Sequence, residues 1–198
     1  MPRRSNMGDI RLTKPGGICR WLQLYALYRT AFPGSERKPF SRIVKTLREE
    51  KGDVWCLERR GKFAGLAFTI NSPDLVLLDY FAVSRKHRGK GIGTAALVQL
   101  MEHYGDCGFL VEIESTFPDS PDREARLKRK RLYQAAGLEE LQVEAILFGV
   151  RMELLGTRCS LDYDGYRAFY RDQYSPWAAN HIEPVKEKKT IPPKRDRM

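Results

Sequence analysis

The segment that most constrains this chain is a basic, glycine-rich loop between an apolar run and a helix-like pattern. The loop reads Arg88-Gly89-Lys90-Gly91-Ile92-Gly93 and follows the apolar run 75–83. Glycines let backbone N–H groups approach a ligand without obstruction by a Cβ atom. The first turn of a helix adds unpaired N–H donors and partial positive charge. The loop therefore predicts a phosphate or pyrophosphate cradle in a strand–loop–helix unit, and the alternative is a tight connection that is basic by coincidence.

The segments around this loop predict an α/β fold with a mixed sheet. Residues 54–70 contain two apolar runs around the turn Arg60-Gly61, as in a β-hairpin. The run 75–83 is nearly continuous in apolar residues, which is typical of a central strand, and 109–114 is predicted as another strand. A helix joins these two strands, so they must run parallel. Helices are also predicted around 21–28, 40–47, 121–136 and 162–174, and a further pair of strands at 141–155.

The positive charge of the chain lies mostly at its two ends. The formal net charge is +10, of which residues 1–14 carry +3 and residues 186–198 carry +4. Charged ends of this kind are usually solvated, so we expect residues 1–14 and 183–198 to be disordered rather than to form a nucleic-acid arm. Between them we predict a domain at 15–155 and an aromatic helical extension at 156–182.

Cysteine spacing and the lengths of the apolar runs argue against several classes of protein. Cys19, Cys56, Cys107 and Cys159 lie too far apart in sequence for a C-x-x-C pair, so we expect no zinc knuckle, no redox motif and no metal. No apolar run approaches the roughly 20 residues that span a bilayer. The first residues lack the apolar segment of a signal peptide. We therefore expect a cytoplasmic protein with reduced thiols and no membrane partner.

Two other phosphate-binding motifs fit the loop less well. A P-loop requires G-x-x-x-x-G-K-[ST], which this sequence does not contain. The dinucleotide-binding pattern G-x-G-x-x-A matches residues 91–96, and Glu112 lies about twenty residues further on. In that pattern the glycines follow the strand directly, whereas residues 84–88 intervene here, and the unit lies behind an antiparallel hairpin.

Three segments together resemble the GNAT acyltransferase superfamily. The loop at 88–93 matches its R/Q-x-x-G-x-G/A motif, and the strand Asp79-Tyr80-Phe81-Ala82-Val83 looks like its acetyl-CoA strand. The segment 131–138 resembles its second signature, in which a tyrosine lies four residues before a glycine. The resemblance covers about residues 17–155. It implies an α/β fold with a mixed, mostly antiparallel sheet, a central parallel strand pair splayed for acetyl-CoA, and helices on both faces.

The resemblance also implies how acetyl-CoA would bind. Its pyrophosphate would lie on the N–H groups of the loop, and its pantetheine arm would pair with the backbone of Phe81 and Val83 as an added strand would. The two parallel strands would separate beyond Val83. Many relatives carry a cofactor-contacting asparagine where this chain has Arg126, whose guanidinium could reach a phosphate instead. The residues expected to bind acetyl-CoA are Phe81, Ala82, Val83, Arg88, Gly89, Lys90, Gly91, Ile92, Gly93, Thr94 and Arg126.

Catalytic residues follow from the same resemblance and from acid–base chemistry. Tyr133 would protonate the departing CoA thiolate, a role that suits a side chain protonated at neutral pH; the alternative is an aromatic packed under its helix. An amine with a pKa near 10 must lose a proton before it attacks a thioester. Asp79 and Glu114 are the predicted catalytic carboxylates.

Two carboxylates are predicted to bind the acceptor. Glu112 and Glu114 alternate with apolar residues and therefore share one face of their strand. There they could bind a cationic acceptor and raise each other's pKa, or they could face solvent or pair with basic residues.

We therefore predict direct acetyl transfer from acetyl-CoA to a primary amine on a small molecule or a peptide. The alternative is a non-catalytic CoA-binding or nucleic-acid-binding module. The aromatic helix 162–174 lies outside the resemblance. It could pack on the domain, cover the acceptor cleft, or form a homodimer contact.

Overall fold

One sheet of eight strands organises the described part of the chain. The computed structural model describes residues 9–34 and 36–185. Its strands are β1 (Ile10–Thr13), β2 (Gly52–Arg59), β3 (Lys62–Asn71), β4 (Leu75–Val83), β5 (Gly108–Glu114), β6 (Glu139–Leu147), β7 (Val150–Thr157) and β8 (Ile182–Pro184). They lie in the order β1-β2-β3-β4-β5-β7-β6-β8. Neighbouring strands are antiparallel except β4 and β5, which are parallel.

Helices cover both faces of this sheet, because apolar residues alternate along the strands toward each face. The helices are α1 (Gly17–Ala31), α2 (Phe40–Arg48), α3 (Ile92–His103), α4 (Arg123–Ala135), α5 (Tyr163–Gln173) and α6 (Pro176–Ala179). Helices α3 and α4 pack on one face, where Val111 of β5 is buried. On the other face, Tyr28 of α1 contacts Tyr80 of β4, and Tyr166 of α5 packs with Leu110 of β5.

The parallel strands β4 and β5 separate part-way along their length. Their pairing ends at Leu78 and Val111. Against β3, strand β4 carries one extra residue, Asp79, which forms a β-bulge. A bulge bends its strand and re-aims side chains. The strands therefore separate from Asp79 onward, and the predicted separation beyond Val83 is placed too late, because the bulge is not visible in the apolar pattern.

The sheet and its two helical faces confirm the predicted fold class. Two predicted boundaries are wrong, because short edge strands lie inside segments predicted as disordered. Residues 10–13 form β1 and pair with β2, and residues 183–184 belong to β8, which pairs with β6. Edge pairing uses backbone hydrogen bonds that leave no signal in the charge pattern. Residues 1–8 and 186–198, on which the rest of the disorder prediction falls, lie outside the described residues.

Several local predictions agree with the elements. The hairpin predicted at 54–70 corresponds to β2 and β3, and the strand pair predicted at 141–155 corresponds to β6 and β7. The cysteines are all free thiols. Within residues 9–34 and 36–185, no helix has the length and apolar character needed to cross a membrane.

Candidate active site

The glycine-rich loop presents a group of unpartnered backbone donors. A short 3₁₀ helix at Arg85–His87 leads into it, and Gly89 and Gly91 adopt left-handed φ angles of 73° and 74°. These angles favour glycine, and the second one turns the chain directly into α3. No described residue accepts a hydrogen bond from the backbone N–H groups of five residues: Gly89, Gly91, Ile92, Gly93 and Thr94. Unpaired N–H groups at a helix N-terminus form an anion-binding concavity.

The basic side chains of the loop are exposed and lie against nearby carbonyl groups. Arg88 Nε donates to the Val83 carbonyl oxygen at 3.0 Å. Lys90 Nζ donates to the Lys86 carbonyl oxygen at 2.8 Å. Both contacts are exposed to solvent, and they place two basic groups beside the loop, where positive charge favours a phosphate.

Strand β4 has a free backbone edge beyond its pairing with β5. The Ser84 N–H donates to the Ala64 carbonyl oxygen of β3 at 2.9 Å. Because strand peptide groups alternate in direction, those of Phe81 and Val83 point away from β3. That side faces the gap between β4 and β5, where an extended ligand can pair with the strand.

Asp79 lies at the point where β4 and β5 separate, and it accepts three hydrogen bonds from two donor groups outside its strand. Its oxygens accept hydrogen bonds from Lys38 Nζ at 2.6 and 2.8 Å and from the Tyr174 hydroxyl at 3.0 Å. The side chain is 10% exposed. Lys38 comes from the loop between α1 and α2, and Tyr174 directly follows α5. Three parts of the sequence therefore meet at this carboxylate.

Glu112 lies at the corresponding point on β5 and is bound by two tyrosines of α5. The hydroxyl of Tyr166 donates at 2.6 Å, and that of Tyr170 donates at 2.8 and 3.0 Å. Burial raises the pKa of Glu112, the charge of Asp79 raises it further, and the tyrosine hydrogen bonds partly offset the rise. The acidic neighbour that raises the pKa of Glu112 is Asp79, and not Glu114 as predicted from the strand alternation.

Glu114 shares the strand alternation of Glu112 but has different neighbours. It forms an ion pair with Arg126 at 2.7 Å. Arg126 also donates to the Ser115 carbonyl oxygen at 3.0 Å, and its buried Nε has no described partner. A phosphate contact by Arg126 would therefore require this ion pair to break. Glu36 lies nearby: burial raises its pKa, and the charge of Glu114 adds to the rise.

Tyr133 lies on α4 under the sheet face that carries α3. It is 6% exposed and packs in the same cluster as Phe81 and Ile113, which follow the separation point on the two strands. Its hydroxyl makes no hydrogen bond to any described residue. Burial raises its pKa to about 12, with a partial offset from the charge of Arg129. The side chain therefore keeps its proton throughout the neutral range.

We call the region around Asp79 and Glu112, where β4 and β5 separate, the fork. Sequence reasoning identified its carboxylates but not the residues that bind them. Lys38 precedes a proline in a loop and carries no recognisable signal. Tyr166, Tyr170 and Tyr174 recur every four residues, which predicted one helical face but not the acids that it contacts. Among the described residues, no group of three or more His, Cys, Asp or Glu side chains is arranged to hold a metal ion.

The sequence also matches a known family over most of the region that builds the fork. The profile of the acetyltransferase (GNAT) family matches residues 21–137, which is more than half of the chain. The protein belongs to the GNAT acetyltransferase family. The resemblance read from the sequence is thereby confirmed. No curated protein sequence matches the chain.

Solved GNAT structures share the fold at low sequence identity. A protein from Bacteroides thetaiotaomicron assigned to this family has a TM-score of 0.68 at 17% identity, covering 82% of this chain and 95% of its own. The ribosomal-protein-S18-alanine N-acetyltransferase from Escherichia coli has a TM-score of 0.52 at 18% identity, with coverages of 77% and 95%. The microcin C7 self-immunity acetyltransferase MccE, solved with acetyl-CoA and AMP, has a TM-score of 0.54 at 16% identity, with coverages of 75% and 92%.

Acetyl-CoA is the cosubstrate of this GNAT protein, as in the relatives solved with acetyl-CoA or CoA. The residues present fit it. The space that a Cβ atom would occupy at Gly89 is open to solvent, and the loop offers unpartnered N–H donors for phosphate oxygens. The free backbone edge of β4 leads from this loop to Asp79. When bound, acetyl-CoA supplies an acetyl group activated as a thioester.

Proposed function

We propose that this GNAT protein transfers the acetyl group of acetyl-CoA to a primary amine by direct attack of that amine on the thioester. The arrangement of the fork carries the proposal. An anion-binding loop and a strand edge lead to two carboxylates and to Tyr133, a buried tyrosine whose hydroxyl has no described protein partner. Each of these features supplies one requirement of acyl transfer: donor binding, proton removal and leaving-group protonation.

Donor binding is assigned to the loop and to β4. The unpartnered N–H groups of Gly89, Gly91, Ile92, Gly93 and Thr94 hold the pyrophosphate, and Arg88 and Lys90 add positive charge. The backbone of Phe81, Ala82 and Val83 holds the pantetheine arm as an added strand. Arg126 is a weaker candidate than the sequence suggested, because Glu114 and Ser115 already engage its guanidinium.

Tyr133 is the proposed general acid. A departing thiolate needs a proton, and a tyrosine whose pKa burial raises to about 12 carries one at every physiological pH. Its hydroxyl is not committed to a described partner, so it can donate to a sulfur atom. Packing alone would not require a hydroxyl group at this position.

Asp79 is the proposed acceptor of the amine's proton, directly or through water. It lies where the strands separate, and its strand also carries the pantetheine-binding backbone. Glu112 is less suited to this step, because burial already favours its protonated form and two hydroxyls occupy its oxygens. Glu114 is the second candidate, at the outer end of β5.

The acceptor is proposed to carry a cationic amine. Burial raises the pKa of Glu36 and the charge of the nearby Glu114 adds to the rise, and two neighbouring carboxylates attract a positive ligand. Arg126 and Arg129 offset part of this negative charge. A small molecule and a peptide both satisfy these features. A cytoplasmic location and a homodimer stay predictions.

Calorimetric titration of acetyl-CoA into the full chain tests donor binding, and thiol release with a panel of primary amines and peptides tests transfer. We expect saturable binding at micromolar affinity and thiol release that depends on an added amine. Binding without transfer to any amine would favour a non-catalytic CoA-binding module. Absence of binding would overturn the proposal.

A further inference from the structure

The chain places one of its own amines at the fork. Lys38 Nζ lies 2.6 and 2.8 Å from the two oxygens of Asp79. It also lies 4.1 Å from the centre of the Tyr174 ring and 5.7 Å from that of Tyr80. A carboxylate with aromatic faces around it is a site that recognises an ammonium group. In this structure the ammonium group is a side chain of the protein itself.

Two hydrogen bonds fix the backbone of Lys38 close to Asp79. Its N–H donates to the Tyr80 hydroxyl oxygen at 3.0 Å, and its carbonyl oxygen accepts from the Tyr28 hydroxyl at 2.9 Å. Both tyrosines are nearly fully buried. The amine is therefore held at the fork by a fixed backbone rather than reaching it by free rotation, which raises its effective concentration there.

The direction of β4 brings the acetyl donor toward the same place. The anion-binding loop follows the C-terminal end of β4, and the peptide groups of Val83 and Phe81 that point away from β3 come next toward Asp79, with the Val83 carbonyl oxygen bound by Arg88 Nε. Val83 lies about 13 Å along the strand from Asp79 at the usual rise per residue. A ligand that is anchored at the loop and extends along this edge thus approaches the carboxylate that holds Lys38.

We propose that Lys38 is acetylated within its own chain. This inference rests on the proposed function, because it uses the same donor and the same acid and base. Asp79 takes a proton from the Lys38 ammonium group. The nitrogen lone pair then forms a bond to the acetyl carbonyl carbon as the carbon–sulfur bond breaks, and the thiolate takes a proton from Tyr133. The nitrogen loses its second proton, which restores the Tyr133 hydroxyl, and Asp79 releases the first proton to solvent. The products are N-acetyl-Lys38, free CoA and one proton released to solvent.

The chain offers a matched control amine in Lys14. Lys14 also forms an ion pair with a carboxylate, Asp53, and lies 3.5 Å from the centre of the Trp55 ring. Asp53 contacts Tyr104 at the C-terminal end of α3, on the opposite face of the sheet. The side chain of Lys14 is 52% exposed, whereas that of Lys38 is 33% exposed. Chemical acetylation of exposed amines would therefore favour Lys14, and acetylation at the fork would favour Lys38.

The experiment incubates the full chain with isotopically labelled acetyl-CoA alone and follows label at Lys38 and Lys14 by peptide mass spectrometry. We expect Lys38 to gain label at least about tenfold faster than Lys14, with a rate constant that does not change on dilution of the protein. Asp79→Asn should slow labelling of Lys38 by at least about tenfold. Lys38→Arg should remove the labelled site and confirm its assignment. Unlabelled acetyl groups already present on Lys38 but not on Lys14 would count as the same result.

Acetic anhydride, which lacks the CoA moiety, provides the readout without the cosubstrate. It should not favour Lys38 over Lys14, and a preference for Lys38 with this reagent would overturn the role of the fork. A labelling rate proportional to protein concentration would overturn transfer within one chain. Equal labelling of the two lysines, with calorimetric binding and acetylation of an added amine intact, would overturn the inference alone. Failure to bind acetyl-CoA would instead overturn the proposed function first.

Discussion

The two acidic residues that begin the fork have different partners, and these partners decide their chemistry. Asp79 accepts hydrogen bonds from a lysine and one tyrosine, so a cation balances its charge. Glu112 accepts only from the tyrosines Tyr166 and Tyr170, and burial favours its protonated form. At the residue scale, a cation neutralises the charge of Asp79, whereas Glu112 is bound by neutral donors in a buried place that favours its protonated form.

Tyr133→Phe tests the proposed general acid. We expect kcat to fall by about 100-fold, because the thiolate loses its proton donor, while the dissociation constant of acetyl-CoA stays unchanged. Since the pKa of Tyr133 is about 12, ionisation of this residue should not reduce the activity of the natural protein up to about pH 10. Steady-state kinetics and calorimetry check this. An equal loss of acetyl-CoA affinity would indicate a packing role instead.

Glu112→Gln tests the buried carboxyl through the pH dependence of stability. A pKa raised by folding means that the folded state holds the proton more tightly. The stabilisation of the folded state by this proton is complete below the ordinary glutamate pKa, and it is lost as pH rises through the raised pKa of Glu112. We therefore expect the free energy of unfolding of the variant to match the natural protein at low pH and to exceed it increasingly as pH rises. Urea unfolding at several pH values checks this, and a difference that does not depend on pH would contradict it.

At the scale of elements, α4 is fixed to β7 by a buried ion pair. Lys130 of α4 lies 2.7 Å from Glu153 of β7 and 2.8 Å from Glu140 of β6. Glu153 also accepts hydrogen bonds from Thr116, which lies near the start of the loop between β5 and α4. These contacts hold both ends of the segment that carries Tyr133. The position of Tyr133 therefore depends on Glu153, a carboxylate in a strand that follows α4 in the sequence.

Glu153→Gln and Glu140→Gln separate the buried partner of Lys130 from the exposed one. The two carboxylates lie at nearly the same distance from the ammonium group, but their side chains are 11% and 48% exposed. We expect Glu153→Gln to lower the free energy of unfolding by about 1–3 kcal/mol at pH 7, and Glu140→Gln to change it by less than about 0.5 kcal/mol. Urea unfolding measures both.

The effect of Glu153→Gln on the free energy of unfolding should depend on pH in a defined direction. Lys130 and Thr116 hold the pKa of Glu153 below its usual range although burial opposes them. The stabilisation is therefore present above the ordinary glutamate pKa and is lost as pH falls through the lowered pKa. The difference between the natural protein and Glu153→Gln should shrink in acid. A difference that grows in acid would contradict this assignment.

Gly91→Ala and Gly105→Ala compare the two ends of α3. Both residues have left-handed φ angles, 74° and 58°, so an added Cβ atom should cost each variant roughly 1–2 kcal/mol of stability. Only Gly91 belongs to the anion-binding loop. Loss of one charge-assisted hydrogen bond there should weaken acetyl-CoA binding by about tenfold or more, with no change for Gly105→Ala. Calorimetry and thermal unfolding check this, and equal affinities would argue against the loop as the phosphate site.

At the scale of the whole molecule, the C-terminal elements are part of the core. Residues 158–185 lie beyond the family profile, yet Tyr166, Phe169 and Tyr170 are buried against β4, β5 and β7. Ile182 of β8 is buried with them and extends the sheet by one strand. The helical extension predicted from the sequence is therefore packed on the domain, and its hydroxyl groups reach the fork.

Two truncations test this role of the C-terminal elements. A chain that ends at Val185 keeps every described contact and should unfold with the stability of the full chain to within about 0.5 kcal/mol. A chain that ends at Thr157 loses α5 and β8. Burial of each large apolar side chain contributes roughly 2 kcal/mol, and the total stability of a domain is about 5–15 kcal/mol. We expect this shorter chain to lack a cooperative thermal transition, and a normal transition would contradict the assignment.

Local pattern was sufficient for the parts of the fold that depend on neighbours in sequence. The glycine loop, the helix after it and the two strands on either side all follow from apolar periodicity and glycine placement. The two hairpins follow from their turns at Arg60-Gly61 and Phe148-Gly149. The helix that joins β4 and β5 predicted their parallel pairing, and the family resemblance extended the prediction to Tyr133. The loop, the helices and the hairpins each depend on residues that lie close together in the sequence.

Tertiary structure decided the features that join distant stretches. The bulge at Asp79 depends on the register between β4 and β3, and it determines where the fork begins. The partners of the fork carboxylates come from residue 38 and from residues 166–174, far from the glycine loop in sequence. The edge strands at 10–13 and 182–184 depend on backbone pairing alone. The sequence by itself determined which chemical groups are present and which segments carry them. Only folding decided which acid meets a lysine and which meets tyrosines, because hydrogen-bond partners and burial are properties of residues brought together in space.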